Sequence, residues 1–161
     1  MAIRANAAYA RFILHDYEGA IDRAMNLLEL EPRYGYGYYI LANALGFVGR
    51  YEEAIAAALR ALELEPEDLY NLSVLGYVYA RAGDREQALE IAGQVEELGG
   101  SLKEVALIYG ALGEVNLAFE YLERAYESDP SDLDLLSLEP AADPLRDDPR
   151  SDELVARLGL K

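Results

Sequence analysis

Three strings in this chain coincide when the sequence is slid over itself by 34 residues, which commits the chain to a stack of like units. The strings are Asp16-Tyr17-Glu18-Gly19-Ala20-Ile21, Arg50-Tyr51-Glu52-Glu53-Ala54-Ile55 and Asp84-Arg85-Glu86-Gln87-Ala88-Leu89. The same shift lays Leu28-Glu29-Leu30-Glu31-Pro32 on Leu62-Glu63-Leu64-Glu65-Pro66, identical at all five positions. A fourth copy, Glu114-Val115-Asn116-Leu117-Ala118-Phe119, arrives after only 30 residues and ends in Asp129-Pro130. A unit this short cannot bury its apolar face alone, so neighbouring units must cover one another.

Apolar residues recur at spacings of three and four within each unit, the signature of one helix face, and each unit reads as two helices. In the second unit the first helix is predicted at about residues 36–48, with Tyr38, Leu41, Ala42 and Leu45 on one stripe and Gly49 ending it. The second is predicted at residues 51–64, where Ala54, Ala58 and Ala61 let a neighbouring axis come close and Pro66 stops the helix. Gly99-Gly100 directly after Val95-Glu96-Glu97-Leu98 places the missing turn at the end of the third unit, with altered curvature at its junction with the fourth. The expected organisation is units at 1–34, 35–68, 69–98 and 99–132, then a tail at 133–161.

Pro140, Pro144 and Pro149 forbid a continuous helix in that tail, and residues 151–158 read as a short closing helix capped by Gly159. The last unit of a stack leaves one face bare. Leu133, Leu136, Leu138, Leu145, Leu154, Val155 and Leu158 are expected to cover it.

Composition narrows the chemistry. With 14 basic and 30 acidic side chains the formal charge is −16, which repels phosphate backbones and anionic headgroups, so neither nucleic acid nor membrane is an expected partner. Cysteine is absent, which excludes disulfides, thiolate metal sites and cysteine nucleophiles. The N-terminal stretch is interrupted by Arg4, Asn6, Arg11, His15 and Asp16 and contains no apolar signal region, so a cytoplasmic location is expected. His15 is the one histidine and reads as an exposed turn residue. Acidic pairs such as Glu52-Glu53 and Asp147-Asp148 do not converge on one point, and phosphate-loop, nucleophile-elbow and metal-ligand spacings are missing. Neither an enzymatic activity nor a cofactor is expected.

The 34-residue pattern resembles the tetratricopeptide repeat. Its positions are filled in unit two by Tyr38, Leu41, Ala42, Leu45, Ala54, Ala58, Ala61 and Pro66; in unit three by Leu72, Leu75, Gly76, Tyr79, Ala88, Ala92 and Val95; and in unit four by Leu102, Val105, Ala106, Tyr109, Ala118, Leu122, Ala125 and Pro130. Unit one is weaker, with Arg4 and Arg11 where large apolar residues are usual, and reads as an N-terminal cap with a wet outer face. The resemblance implies an all-α fold, a right-handed superhelical solenoid of about four helix hairpins closed by a C-terminal capping segment. Residues 106–113 and 118–126 and the tail, above all the phrase Pro144-Leu145-Arg146-Asp147-Asp148-Pro149-Arg150, are also similar to the repeat region of bacterial regulators in which repeats follow a winged-helix, adenylate cyclase or Ser/Thr kinase domain. On that resemblance the chain is an excised module, a free-standing relative or an engineered version of one.

The resemblance also implies that first helices line a concave groove and says which positions face into it. These are Tyr9, Phe12 and Ile13; Tyr36, Tyr39, Asn43 and Phe47; Tyr70, Ser73, Tyr77 and Arg81; and Lys103 and Leu107, with Gly46, Ala80 and Gly110 leaving room for an incoming group. Aromatic rings with polar tips concentrate at interfaces. The leading reading is therefore a non-catalytic scaffold whose aromatic groove holds a protein or peptide segment. Arg81 and Lys103 point to a segment with an anionic end. Carboxylate capture as performed by chaperone-binding members of the family is disfavoured, because Ala5, Tyr9, Ile40, Tyr70 and Val74 stand at the clamp positions. The alternative is a regulatory module of a signalling or transcription protein that binds a small ligand or self-associates as a homodimer.

Overall fold

The computed structural model describes residues 2–159. Four helix hairpins follow one another: α1 (Ala2–Ile13) with α2 (Tyr17–Leu30), α3 (Gly35–Phe47) with α4 (Tyr51–Leu64), α5 (Leu69–Ala82) with α6 (Arg85–Glu97), and α7 (Leu102–Ala111) with α8 (Val115–Ser128). Two 3₁₀ turns, Pro130–Leu133 and Pro140–Leu145, lead to α9 (Pro149–Arg157). The closing helix starts two residues ahead of the predicted 151 because Asp148 caps it, accepting from the Arg150 N–H, and Pro149 is suited to a first helical position. No strand occurs among the described residues.

Helix ends follow local chemistry. Asp16, Asp68, Asp84 and Ser101 cap α2, α5, α6 and α7 by accepting backbone N–H groups that would otherwise lack partners. The turn inside a hairpin needs one left-handed residue, supplied by Gly49, Gly83 and Gly113 at φ near 80°. His15 takes that place in the first hairpin with φ 61°, a conformation that costs a residue with a side chain about 1 kcal/mol.

First helices touch in series, α1 to α3 to α5 to α7, while α2, α4 and α6 each pack on the first helix of the next hairpin more than on one another. A double layer that is tighter on one side curves toward that side, so α1, α3, α5 and α7 line the concave face. The inner first helices are the most enclosed, with residues 42–46 of α3 and 73–78 of α5 buried without a break, while α1 buries only Ala5, Ala8 and Phe12. Gly76 permits a close approach of α6 and α7 to α5, since a Cβ there would meet Ile108 Cδ1 and Ile91 Cγ2 at 2.8 Å.

The shortened repeat differs from expectation. The helices of the second and third hairpins begin at 35 and 51 and at 69 and 85, those of the fourth at 102 and 115. The lost turn comes mainly from α7, which has 10 residues against 14 in α5, while α6 keeps 13. Gly99-Gly100 does end α6, but Ser101 starts α7 at once and that helix reaches its own Gly113 turn early.

The tail folds back over the fourth hairpin. Leu133, Leu136, Leu145 and Leu154 are buried with the main core, and Val155 and Leu158 are partly covered. Leu138 is 54% exposed, contrary to expectation. In 3₁₀-like turns residues three apart share a side, so Leu133 and Leu136 face inward and Leu135 and Leu138 outward. Helix α9 closes on α8, with the Arg150 guanidinium 4.3 Å from the centre of the Phe119 ring and that of Arg157 4.1 Å from Tyr126.

Candidate functional site

The groove aromatics separate into two groups. Phe12, Phe47 and Tyr77 form an inner stack with Tyr17: Phe47 lies 4.9 Å from Tyr17, 5.3 Å from Phe12 and 5.8 Å from Tyr77 between ring centres. Phe12 and Tyr77 are each 4% exposed. Arg81 is held by the same stack, 4.7 Å over Phe47, and donates from Nη1 to the Tyr77 hydroxyl at 3.3 Å. Leu107 is buried and Ile13 packs against the same core. Ser73 and Asn43 are buried and turn back on their own helices, Ser73 Oγ donating to the Leu69 carbonyl at 2.8 Å and Asn43 Nδ2 to that of Tyr39 at 3.1 Å. Phe12, Tyr77, Leu107, Ser73 and Asn43 are buried, while Ile13, Tyr17, Phe47 and Arg81 are partly covered.

Space expected to admit a partner is taken by the chain itself. A Cβ on Gly110 would meet Leu145 of the tail at 3.2 Å, and one on Gly46 would meet Val78 at 3.2 Å. Asp143 Oδ2 stands 3.8 Å from His15 Nδ1, so the tail reaches from the fourth hairpin to the turn of the first.

Lys103 is not a free groove cation. Its Nζ lies 2.7 Å from Glu139 Oε1 and 3.1 Å from Glu104 Oε1, and the three side chains are at most 16% exposed. One cation cannot neutralise two ionised carboxylates in a buried place, so one of them is driven toward its protonated form. Burial, then repulsion from Glu139, pushes the Glu104 carboxyl up to about 7 against the pull of Lys103. Burial lowers the Lys103 ammonium, but the two carboxylates outweigh it and hold the group above its ordinary value. Of the two cations expected to meet an anionic end of a partner, Lys103 is neutralised, while Arg81 keeps its charge but is held over the Phe47 ring. The sequence marked Lys103 but gave no sign of Glu139, 36 positions further on, because nothing local says where the tail returns.

The outer aromatic group is half-buried, with Tyr70 exposed beside it. Tyr36 stacks on Tyr39 at 5.7 Å, with Tyr9 6.3 Å and Tyr34 6.3 Å from Tyr36. Together with Tyr70, Asn71, Glu65 and Asp68 they border a notch of about 210 Å³ at the N-terminal ends of α3 and α5. Tyr70 also borders a recess of about 440 Å³ running to Ser101 and Glu104, and another of about 480 Å³ running to Asp129 and Asp132. Burial, reinforced by Glu139, raises the Tyr9 phenol to about 12. Burial followed by Glu104 raises Tyr39 well above its ordinary value, and burial followed by Asp132 raises Tyr70. Each phenol thus feels surrounding carboxylates. Glu65, Asp68 and Asn71 belong to this notch but were missed in the sequence: Glu65 and Asp68 lie in the turn between repeats, and Asn71, on α5, is not at a position that the resemblance assigns to the groove.

Among the described residues no helix is long and apolar enough to cross a membrane, and no group of three or more His, Cys, Asp or Glu converges as a metal site would require. Residues 35–68 and 104–132 match models of the tetratricopeptide repeat. Curated proteins gave no significant match. Among solved structures, a thermophilic TPR protein of Thermus thermophilus superposes with a TM-score of 0.65 at 21% identity, over 98% of this chain and 96% of that one. Consecutive packed hairpins and a fold shared over nearly the whole length make this chain an all-helical solenoid, and residues 35–68 and 104–132 of it match the tetratricopeptide repeat.

Proposed function

We propose that the chain is a non-catalytic scaffold that holds a segment of a partner protein along the trough at the N-terminal ends of α3, α5 and α7. Tetratricopeptide-repeat proteins generally act as protein-interaction scaffolds, and the observation that supports this place is the half-exposed Tyr70. Its ring, 51% exposed, joins three recesses in a row. A tyrosine is rich in contact area and loses little side-chain freedom when gripped, so exposed tyrosines beside recesses favour contact with a partner. A chain of open recesses across three hairpins fits an extended segment better than a single small molecule, whose pockets are enclosed and about 300–1,000 Å³. That comparison ranks the regulatory, ligand-binding alternative second. Of the thirteen groove residues, Tyr9, Tyr36, Tyr39 and Tyr70 carry the proposed contact, and the others serve the core.

Selection of a randomised peptide display library on the wild type and on a Tyr36→Ala, Tyr39→Ala, Tyr70→Ala variant tests this. Enriched peptides should bind the variant at least about tenfold more weakly, while circular dichroism and light scattering show it folded and unchanged in size. Absence of enrichment on the wild type, or equal binding to both, overturns the reading.

A further inference from the structure

The chain repeats one arrangement on its own surface. Tyr121 has Arg124 4.6 Å over its ring, and that guanidinium is 2.8 Å from Glu96. Tyr126 has Arg157 at 4.1 Å, paired with Glu123 at 2.8 Å. Phe119 has Arg150 at 4.3 Å, paired with Asp148 at 2.7 Å. In each, an aromatic face and a carboxylate hold one guanidinium between them.

The notch contains the first two components and lacks the third. Its rings are Tyr9, Tyr36, Tyr39 and Tyr70, its carboxylates Glu65 and Asp68, and among the described residues neither carboxylate has an ion-pair partner. Each also keeps an oxygen in reserve. Asp68 caps α5 through Oδ1, accepting from the Tyr70 and Asn71 N–H groups, which leaves Oδ2; Glu65 accepts from Asn71 Nδ2 at 3.4 Å through Oε2, which leaves Oε1. Glu104, Asp129 and Asp132 continue the acidic lining along the neighbouring recesses, and the buried Lys103 beside them is already paired with Glu104 and Glu139. An anionic group would meet carboxylates here and no free cation.

We propose that the notch takes the guanidinium or ammonium group of an Arg or Lys side chain carried by the partner segment, seated against the tyrosine rings and paired with Glu65 and Asp68. This deepens the scaffold reading and rests on it. At about 210 Å³ the notch is below the size of whole-ligand pockets and suits one long side chain. The formal charge of −16 adds long-range attraction for a basic segment.

The test uses the full chain with peptides enriched from the library, and a Glu65→Gln, Asp68→Asn variant, in which asparagine preserves the helix cap. Enriched peptides should carry a recurrent Arg or Lys. Replacing that residue with citrulline or norleucine should weaken binding about tenfold or more, and the Gln/Asn variant should lose a similar factor and show a flatter dependence on salt. Titration with N-acetylargininamide, with N-acetylcitrullinamide as the control, should move the ring signals of Tyr36, Tyr39 and Tyr70 in NMR spectra for the arginine compound alone. Enriched peptides without a recurrent cation, or full binding to the Gln/Asn variant, would overturn the cation assignment and leave the scaffold reading standing. Ring shifts with the arginine compound but no library enrichment would uphold the cation site and remove the scaffold. Silence in both experiments ends both.

Discussion

Glu104 shows how a single side chain can set the pH behaviour of this protein. Its carboxyl is raised in the folded chain from 4.5 to about 7, so between those values the folded state holds a proton that the unfolded state has released. Stability contributed by that proton is complete below about pH 4.5 and is lost as pH rises through 7. At about 1.4 kcal/mol per pH unit the loss is on the order of 3 kcal/mol. The groups facing Glu104 are Lys103, Glu139 and Asp132, and only Lys103 opposes the shift. A Glu104→Gln variant should match the wild type at pH 4.5 and exceed it by about 1–3 kcal/mol at pH 8 in urea denaturation. A variant weaker at pH 8 would mean that Lys103 needs both carboxylates. At this scale the sequence revealed Lys103 as one of two lysines but placed it in an open groove, since a partner 36 residues away leaves no local mark.

At the level of helices, glycine has opposite consequences in two neighbouring elements. Gly76 in α5 lies where a methyl group would stand 2.8 Å from both Ile108 Cδ1 and Ile91 Cγ2, whereas a methyl group on Gly93 in α6 would have nothing within 4 Å. Alanine improves helix propensity at either place by about 1 kcal/mol. At Gly76 that gain is outweighed by overpacking against a β-branched side chain, so Gly76→Ala should destabilise by about 1–2 kcal/mol. Gly93→Ala should stabilise by up to about 1 kcal/mol, and denaturant midpoints of the two variants should move in opposite directions. Helix bounds were legible because they depend on periodicity and on local stop signals such as Gly49 and Pro66. The location of the lost turn was not. A glycine pair marks where a helix ends but does not say which helix gives up residues, and that is decided by how α7 meets the Gly113 turn.

For the molecule as a whole, the returning tail changes what kind of solenoid this is. In an open array each hairpin feels only its neighbours. Here Leu145 is 2% exposed against Gly110, and Asp143, two residues before it, stands by His15 in the first hairpin. Leu145→Ala should cost about 2–5 kcal/mol. It should also speed amide hydrogen exchange in the α1–α2 turn as well as in α7, by about tenfold or more. Faster exchange confined to α7, α8 and the tail would show that the two ends are uncoupled.

The 34-residue identity, the three-and-four spacing of apolar residues and the glycine and proline stops determined by themselves that the chain is a stack of helix hairpins. Each of those signals acts within a few residues or between adjacent copies. Tertiary structure alone decided which groove tyrosines stay accessible, that Lys103 is neutralised, and that Glu65 and Asp68 join Tyr36, Tyr39 and Tyr70 around one notch. The reason is physical: curvature of the double layer and the path of a proline-broken tail are set by packing between residues far apart in sequence, and no repeat pattern encodes where those residues meet.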